Sequence, residues 1–256
     1  MTIYSWNMLF SNREMGRAFA FIAESGFDIF CLQEVPEEFL TRLKTLPYHL
    51  AEAVDCDRVF GAAIRTHLVI LSRHPITGIG TTPWSDYWPT FRLRTKLFIY
   101  CMRLLHWSRI MNRNGLYADI AVPGKPVRVF NLHTALIRPD VRLQEFEQAM
   151  TERDPARPTI VCGDFNTIES PRVSLLNWLV GGSVADIVRF RRERTRIEEH
   201  FVAHELVNPL RGETTHSFAG SQLDHILVSH SFSIKSASVL PDRVGSDHHP
   251  ICVEVF

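Results

Sequence analysis

Apolar positions come in short runs split by polar turns, and their period alternates between that of a strand and that of a helix. TIYSWNML at residues 2–9 reads as a first strand. Residues 12–25 read as a helix, with Phe19, Ile22 and Ala23 at helical spacing and Gly26 as its stop. DIFCLQEV at 28–35 is a short apolar run between charged residues, the pattern of a buried strand, and EEFLTRLKTL at 37–46 is a second helix closed by Pro47. Residues 59–64 and 68–72 read as a strand pair ended at 74–76, and 116–122 with 126–132 as a hairpin across 123–125. RLQEFEQAM (142–150) and residues 173–180 read as helices. PTIVCGDFN (158–166) is a strand running into a loop, QLDHILVS (222–229) a further strand, and ICVEVF (251–256) the last.

Strands outnumber helices, and helices fill several connections. That order suits two packed sheets flanked by helices. With no internal repeat and no linker-like stretch, residues 1–256 read as one domain. Composition agrees with a globular chain: 45% hydrophobic, with 28 Lys+Arg against 28 Asp+Glu, which argues against disorder and against a strongly basic nucleic-acid module. The cysteines, Cys31, Cys56, Cys101, Cys162 and Cys252, are odd in number and form no CxxC pair, so a reducing compartment is expected, with neither a disulfide framework nor a cysteine zinc site. The opening MTIYSWNMLF lacks the charged and apolar regions of a signal peptide, and no run approaches the ~18 apolar residues of a membrane span, so a cytoplasmic protein is expected if residue 1 is the true start.

Two regions stand apart. From Tyr87 to Ala118 there is no acidic residue, while Arg92, Arg94, Lys96, Arg103, Arg109 and Arg113 accompany LFIYCMRLLHW. Leu97, Cys101, Leu104 and Leu105 fit one face of a helix there. This is either a core helix with a solvated basic edge, or a lid over 87–118 that meets an anionic substrate or, through 91–113, a membrane surface. The second region, RFRRERTRIEEH at 189–200, reads as a solvated helix face.

Six short polar motifs end or follow the predicted strands: SWN (5–7), LQEV (32–35), NLHT (131–134), GDFN (163–166), LDHI (223–226) and SDHHP (246–250). Carboxylates, amides and imidazoles that converge at strand ends suit a hard divalent cation and a phosphate. Phosphoester hydrolysis needs a deprotonated water, positive charge on the non-bridging oxygens and a stabilised leaving oxygen. Glu34 is the first candidate ligand, GDFN offers an acid and an amide two residues apart, and SDH sets a carboxylate beside His248. Taken singly, each motif also has a structural reading as a cap or turn former. His74, His106 and His216 are read as structural, and His225 and His249 as neighbours of the site.

In this order the motifs, with ILSRHPI at 70–76, resemble the endonuclease/exonuclease/phosphatase superfamily of DNase I-like proteins, over Ile3 to Pro250. The resemblance implies an α/β (α+β) fold, a four-layer α/β/β/α sandwich of two mixed sheets flanked by helices, with the site at one end. It implies Mg²⁺ or Mn²⁺, with Asn7, Glu34 and Asp247 at the metal. It also implies catalytic His133 on the scissile phosphate or leaving group, Asp164 on the attacking water, Asn166 on the phosphate, Asp224 orienting a histidine and His248 as donor or acid–base group. Arg92, Arg94, Arg109 and Arg113 are the candidate substrate contacts. One departure is Leu9, where some DNA-repair members carry a second acid, which weakens an abasic-site endonuclease reading. The expected substrate is a phosphoester, foremost nucleic acid, with a phospholipid or sphingolipid head group or small phosphoester as the alternative and a non-catalytic scaffold as a minor one. No obligate protein partner is evident.

Overall fold

The computed structural model describes residues 1–60, 62–103, 109–189 and 191–256. In chain order the elements are β1 (Thr2–Asn7), α1 (Met15–Glu24), β2 (Ile29–Pro36), α2 (Glu37–Leu43), β3 (His49–Phe60), β4 (Ala62–Ser72), β5 (Ile76–Pro83), α3 (Leu93–Arg103), β6 (Arg109–Met111), β7 (Asn114–Ile120) and β8 (Val127–His133). They continue with α4 (Pro139–Met150), β9 (Thr159–Asp164), α5 (Ser174–Leu179), α6 (Val184–Val188), α7 (Arg192–Ala203), β10 (Leu206–Val207), β11 (Asp224–Ser229), β12 (Ile234–Val239) and β13 (Ile251–Val255). Seven strands form one sheet in the order β12-β13-β1-β2-β4-β3-β6, and six form the other in the order β10-β11-β9-β8-β7-β5. Each sheet has one parallel pair, β1 with β2 and β8 with β9.

The strands are apolar on both faces because both faces are covered. In β2, Ile29 and Cys31 join Ile70, Val129, Ile160, Ile226 and Val253 in the core between the sheets. Phe30 and Leu32 point the other way, against Ala18 and Ile22 of α1 and Phe39 and Leu40 of α2. On the second sheet Phe130, Leu132, Val161 and Leu227 pack under Phe146 of α4 and Phe201 of α7. The result is the four-layer α/β/β/α sandwich.

Several boundaries differ from the sequence reading. The first helix begins at Met15, because the Asn12 side chain binds Met8 and Val244 carbonyls and accepts the Glu14 N–H, which holds the chain in a turn. The strands read at 59–64 and 68–72 belong to one long hairpin, His49–Phe60 with Ala62–Ser72; its acids obscured the pattern, yet Asp55 and Asp57 find partners in place. In α3 the buried positions are Thr95 and Ile99, whereas Leu97 and Cys101 are exposed. The helix is seated by Arg94, whose guanidinium lies 4.5 Å over Trp178 and donates to the Gly182 carbonyl. Leu104, Leu105 and His106 fall outside the described residues. The segment 189–200 is not uniformly solvated either, since Glu193, Arg194, Ile197 and Glu198 are buried. Among the described residues no helix is long and apolar enough to cross a membrane.

A buried ion pair clamps the outer helices over the second sheet. Arg142 of α4 donates to Glu193 of α7 at 2.5 and 2.7 Å, to Asn177 of α5 at 3.0 Å and to the Ile137 carbonyl at 2.7 Å. Glu193 also accepts the Ile168 N–H just beyond GDFN. Removing one partner of such a pair strands a buried charge, whereas replacing both with apolar groups does not. Glu193→Ala is therefore expected to cost about 3–5 kcal/mol in urea denaturation, and Arg142→Met with Glu193→Leu to recover most of it. A single-variant loss under about 1 kcal/mol would mean that water reaches the pair.

Candidate active site

Strand register brings the motifs together. The last residues of β8 and β9, His133 and Asp164, are paired, and Asp224, the first residue of β11, pairs with Asp164 from the other side. In the facing sheet Asn7, at the end of β1, pairs with Gln33 of β2. Glu34 lies in a bulge of β2 between Leu32 and Val35, with φ of 56°. A bulge re-aims a side chain that regular alternation would turn away. Gly163 has φ of 141°, and a Cβ there would lie 1.8 Å from the Leu132 carbonyl oxygen, so the glycine of GDFN is required by the backbone rather than by chemistry.

Asp164 is fixed on both oxygens. Asn7 Nδ2 donates to its Oδ2 at 3.0 Å, and the Asn166 N–H donates to its Oδ1 at 2.9 Å. Asn166 has φ of 50°, and its amide donates to the Thr134 carbonyl. The two histidines flank the acid: His133 Nε2 and His248 Nε2 each lie 3.7 Å from Asp164 Oδ2. Each ring is oriented from behind, His133 Nδ1 by Asp55 at 2.9 Å and His248 Nδ1 by Asp224 at 2.9 Å. Glu34 Oε1 is 4.0 Å from His133 Nε2, and Asp247 Oδ1 is 4.0 Å from His248 Nε2.

Burial alone would discharge both rings, but the acids around them prevail. Asp55, with Asp164 and Glu34, lifts His133 to about 9, and Asp224 and Asp164 lift His248 to about 10. Burial pushes the Asp164 carboxyl up, whereas His216 and His248 overcome burial at Asp247 and draw it down to about 2. Asp224 Oδ1 is buried with no hydrogen-bond partner, and Asp164, Asp224 and His248 hold ligand atoms within 4.8 Å of one another. An orphaned carboxylate oxygen beside a second acid fits a cation. His216, Asp247 and His248 form a second such cluster, but the Ala219 N–H donates to His216 Nδ1 at 3.1 Å. His216 Nε2 faces Asp247 at 3.5 Å.

The arginines are placed differently from one another. Arg92 is exposed, Arg94 is engaged with Trp178 and Gly182, and the Arg109 side chain falls outside the described residues. Arg113 is committed to buried Glu145 and to the His133 carbonyl, at 2.7 Å, beneath the strand end. His225 is held away from the reacting groups, accepting from Arg194 at 2.7 Å, and burial keeps it neutral. His249 contacts Ser217 and the Leu240 carbonyl. Two site residues were missed in the sequence, Asp55 and Arg58 of β3. The available signal for Asp55 was its period-two spacing after the core-facing Ala51 and Ala53.

The Asp55–His133 pair gives a pH test in the metal-free protein. The folded pKa of His133 lies above its unfolded value of about 6.5. Its stabilisation is thus complete below about pH 6.5 and is lost as pH rises through about 9. Asp55→Asn is expected to move the His133 ring titration, followed by NMR, down toward about 6.5 and to shrink that alkaline loss of stability. An unmoved titration would mean that Asp164 and Glu34 alone hold the ring charged.

A family model described as the endonuclease/exonuclease/phosphatase family matches residues 4–248. No curated protein matches the chain. Among solved structures, an endonuclease/exonuclease/phosphatase from Beutenbergia cavernae is 17% identical with a TM-score of 0.72, over 100% of this chain and 71% of that one. A mannosyl-6-phosphatase from Bacteroides thetaiotaomicron is 22% identical (TM-score 0.67, covering 100% and 99%), and an AP endonuclease from Archaeoglobus fulgidus is 16% identical (TM-score 0.63, covering 100% and 99%). These likenesses show a shared fold, and with the family model matched across nearly the whole chain, the protein belongs to the endonuclease/exonuclease/phosphatase family.

Proposed function

We propose that the protein is a divalent-metal-dependent phosphoester hydrolase in which water attacks phosphorus in line with the leaving oxygen. The observation that carries this reading is a single buried carboxylate, Asp164, held by two asparagines between two charged imidazoles. Burial raises its proton affinity, which suits it to accept the proton of the attacking water. His248 Nε2–H, oriented by Asp224, donates to the phosphoryl oxygens, and His133 Nε2–H, oriented by Asp55, donates to the phosphate or leaving oxygen. Asp164 and Asp224 would offer oxygen donors to magnesium or manganese, with Glu34, Asp247 and Asn7 as further candidate donors around them. When bound, such an ion supplies positive charge that polarises the phosphoryl group.

For the substrate, nucleic acid draws on the exposed arginines. Arg189, Arg191, Arg192 and Arg196 line an open cavity of about 480 Å³ at α7, and Arg92 lines a second cavity that Arg192 and Arg196 share. A specific observation favours a second reading, an amphiphilic phosphoester at a lipid surface. Leu93, Leu97 and Tyr100 stand one helical turn apart on α3 and are 81%, 59% and 66% exposed. Hydrolysis of DNA, RNA, lipid phosphoesters in vesicles and a sugar phosphate, with magnesium, manganese or EDTA, separates these. Metal-dependent cleavage of nucleic acid alone is the expected result, and cleavage of vesicle lipid alone replaces it with the second reading. Asp164→Ala and His248→Ala are each expected to lower turnover about 10²–10⁴-fold while a cooperative melt shows that the variant still folds. Wild-type rates in either variant would overturn the assignment.

A further inference from the structure

Glu34, the first candidate ligand, is already engaged. Arg58 Nη2 donates to its Oε1 at 2.7 Å, and the Phe10 N–H donates to its Oε2 at 3.2 Å. The pair is well shielded, with side-chain exposures of 16% for Arg58 and 11% for Glu34. The guanidinium lies 4.5 Å over the Phe10 ring. Its Nε is buried with no hydrogen-bond partner. Buried donors are nearly always satisfied, so the Glu34 pair leaves part of the guanidinium's donor capacity unused beside the proposed phosphate site. Arg58 also stands at one end of a continuous polar row, Glu34, His133, Asp164 and His248, in which successive groups are no more than 4.0 Å apart.

We propose that Arg58 is a phosphate-binding residue of this site: it neutralises Glu34 while no cation is bound, and its fork donates to the non-bridging oxygens of the substrate. The inference rests on the hydrolase reading above and adds a fixed cation to it. Planar donor pairs match phosphate geometry, which a lysine ammonium does not. A purely structural arginine, there only to aim Glu34, predicts the opposite metal behaviour. Losing such a residue would loosen the carboxylate and weaken cation binding, whereas losing a competing cation strengthens it.

The test uses Arg58→Gln and Arg58→Lys in the full chain, with circular dichroism melts to verify folding. Manganese binding by calorimetry is expected to tighten about fivefold in R58Q, since a unit charge beside Glu34 is gone. Inhibition by inorganic phosphate is expected to weaken about tenfold in R58Q. Turnover of whichever phosphoester the wild type cleaves should fall about 10²–10³-fold. R58K, which keeps the charge but not the fork, should retain wild-type manganese affinity while still losing phosphate inhibition. Weaker manganese binding in R58Q, or unchanged phosphate inhibition in a folded variant, overturns the proposal while the hydrolase reading stands. A folded wild-type chain that binds no manganese and cleaves no phosphoester overturns both. If R58Q does not fold, R58K decides: phosphate inhibition at wild-type strength overturns the proposal.

Discussion

A pair of amides buried between the two sheets fixes the spacing on which the site depends. Gln33 of β2 donates to Asn131 Oδ1 of β8 at 2.7 Å, and Asn131 Nδ2 donates at 2.9 Å to both the Leu32 and Val69 carbonyls. Both side chains are fully buried. Apolar packing between sheets is tolerant of small slides, but a desolvated amide that loses its partner costs about 1–3 kcal/mol, so the bond selects one register. Glu34 follows Gln33 by one residue and His133 follows Asn131 by two. The distance between them, 4.0 Å from Oε1 to Nε2, is inherited from that lock. The LQE and NLH motifs therefore carry two kinds of information, a structural amide and a chemical neighbour.

This also explains which parts of the molecule were legible in the sequence. Asn7, Glu34, His133 and Asp164 stood out because each stands at or near the end of an apolar run, and Asp224 and His248 because each stands just before one; the structure gathers them at neighbouring strand ends. Asp55 and Arg58 did not, since they belong to the long β3–β4 hairpin, whose charged residues break the alternation that identifies a strand. Their partners, His133 and Glu34, are 78 and 24 residues away, and no local pattern encodes such pairings. Arg94 and Arg113 show the converse. In sequence they belong to one acid-free basic block, but Glu145, which answers Arg113, lies beyond its end, and Arg94 is answered by an indole and a carbonyl.

Charge is arranged at the site by separating orientation from reaction. Asp55 and Asp224 lie behind the two imidazoles and keep them protonated, so that the Nε2–H groups face Asp164 as donors. Burial, with Asp224 nearby, works the other way on Asp164 and disfavours its charge. In the proposed mechanism, acids of one chemical type thus take two roles according to what surrounds them.

The two parallel strand pairs carry one more consequence. β1–α1–β2 and β8–α4–β9 are each a strand, a helix and a neighbouring parallel strand, one in each sheet, and each presents its chemistry at the carboxyl ends of its strands: Asn7 and Glu34 from the first, His133 and Asp164 from the second. The reaction centre is the seam between two half-sites of like architecture. Neither half holds both Glu34, the first candidate ligand, and Asp164, the acid proposed to accept the proton of the attacking water. Packing of one sheet upon the other is what brings the side chains of the two halves within reach of each other, Asn7 to Asp164 at 3.0 Å and Glu34 to His133 at 4.0 Å.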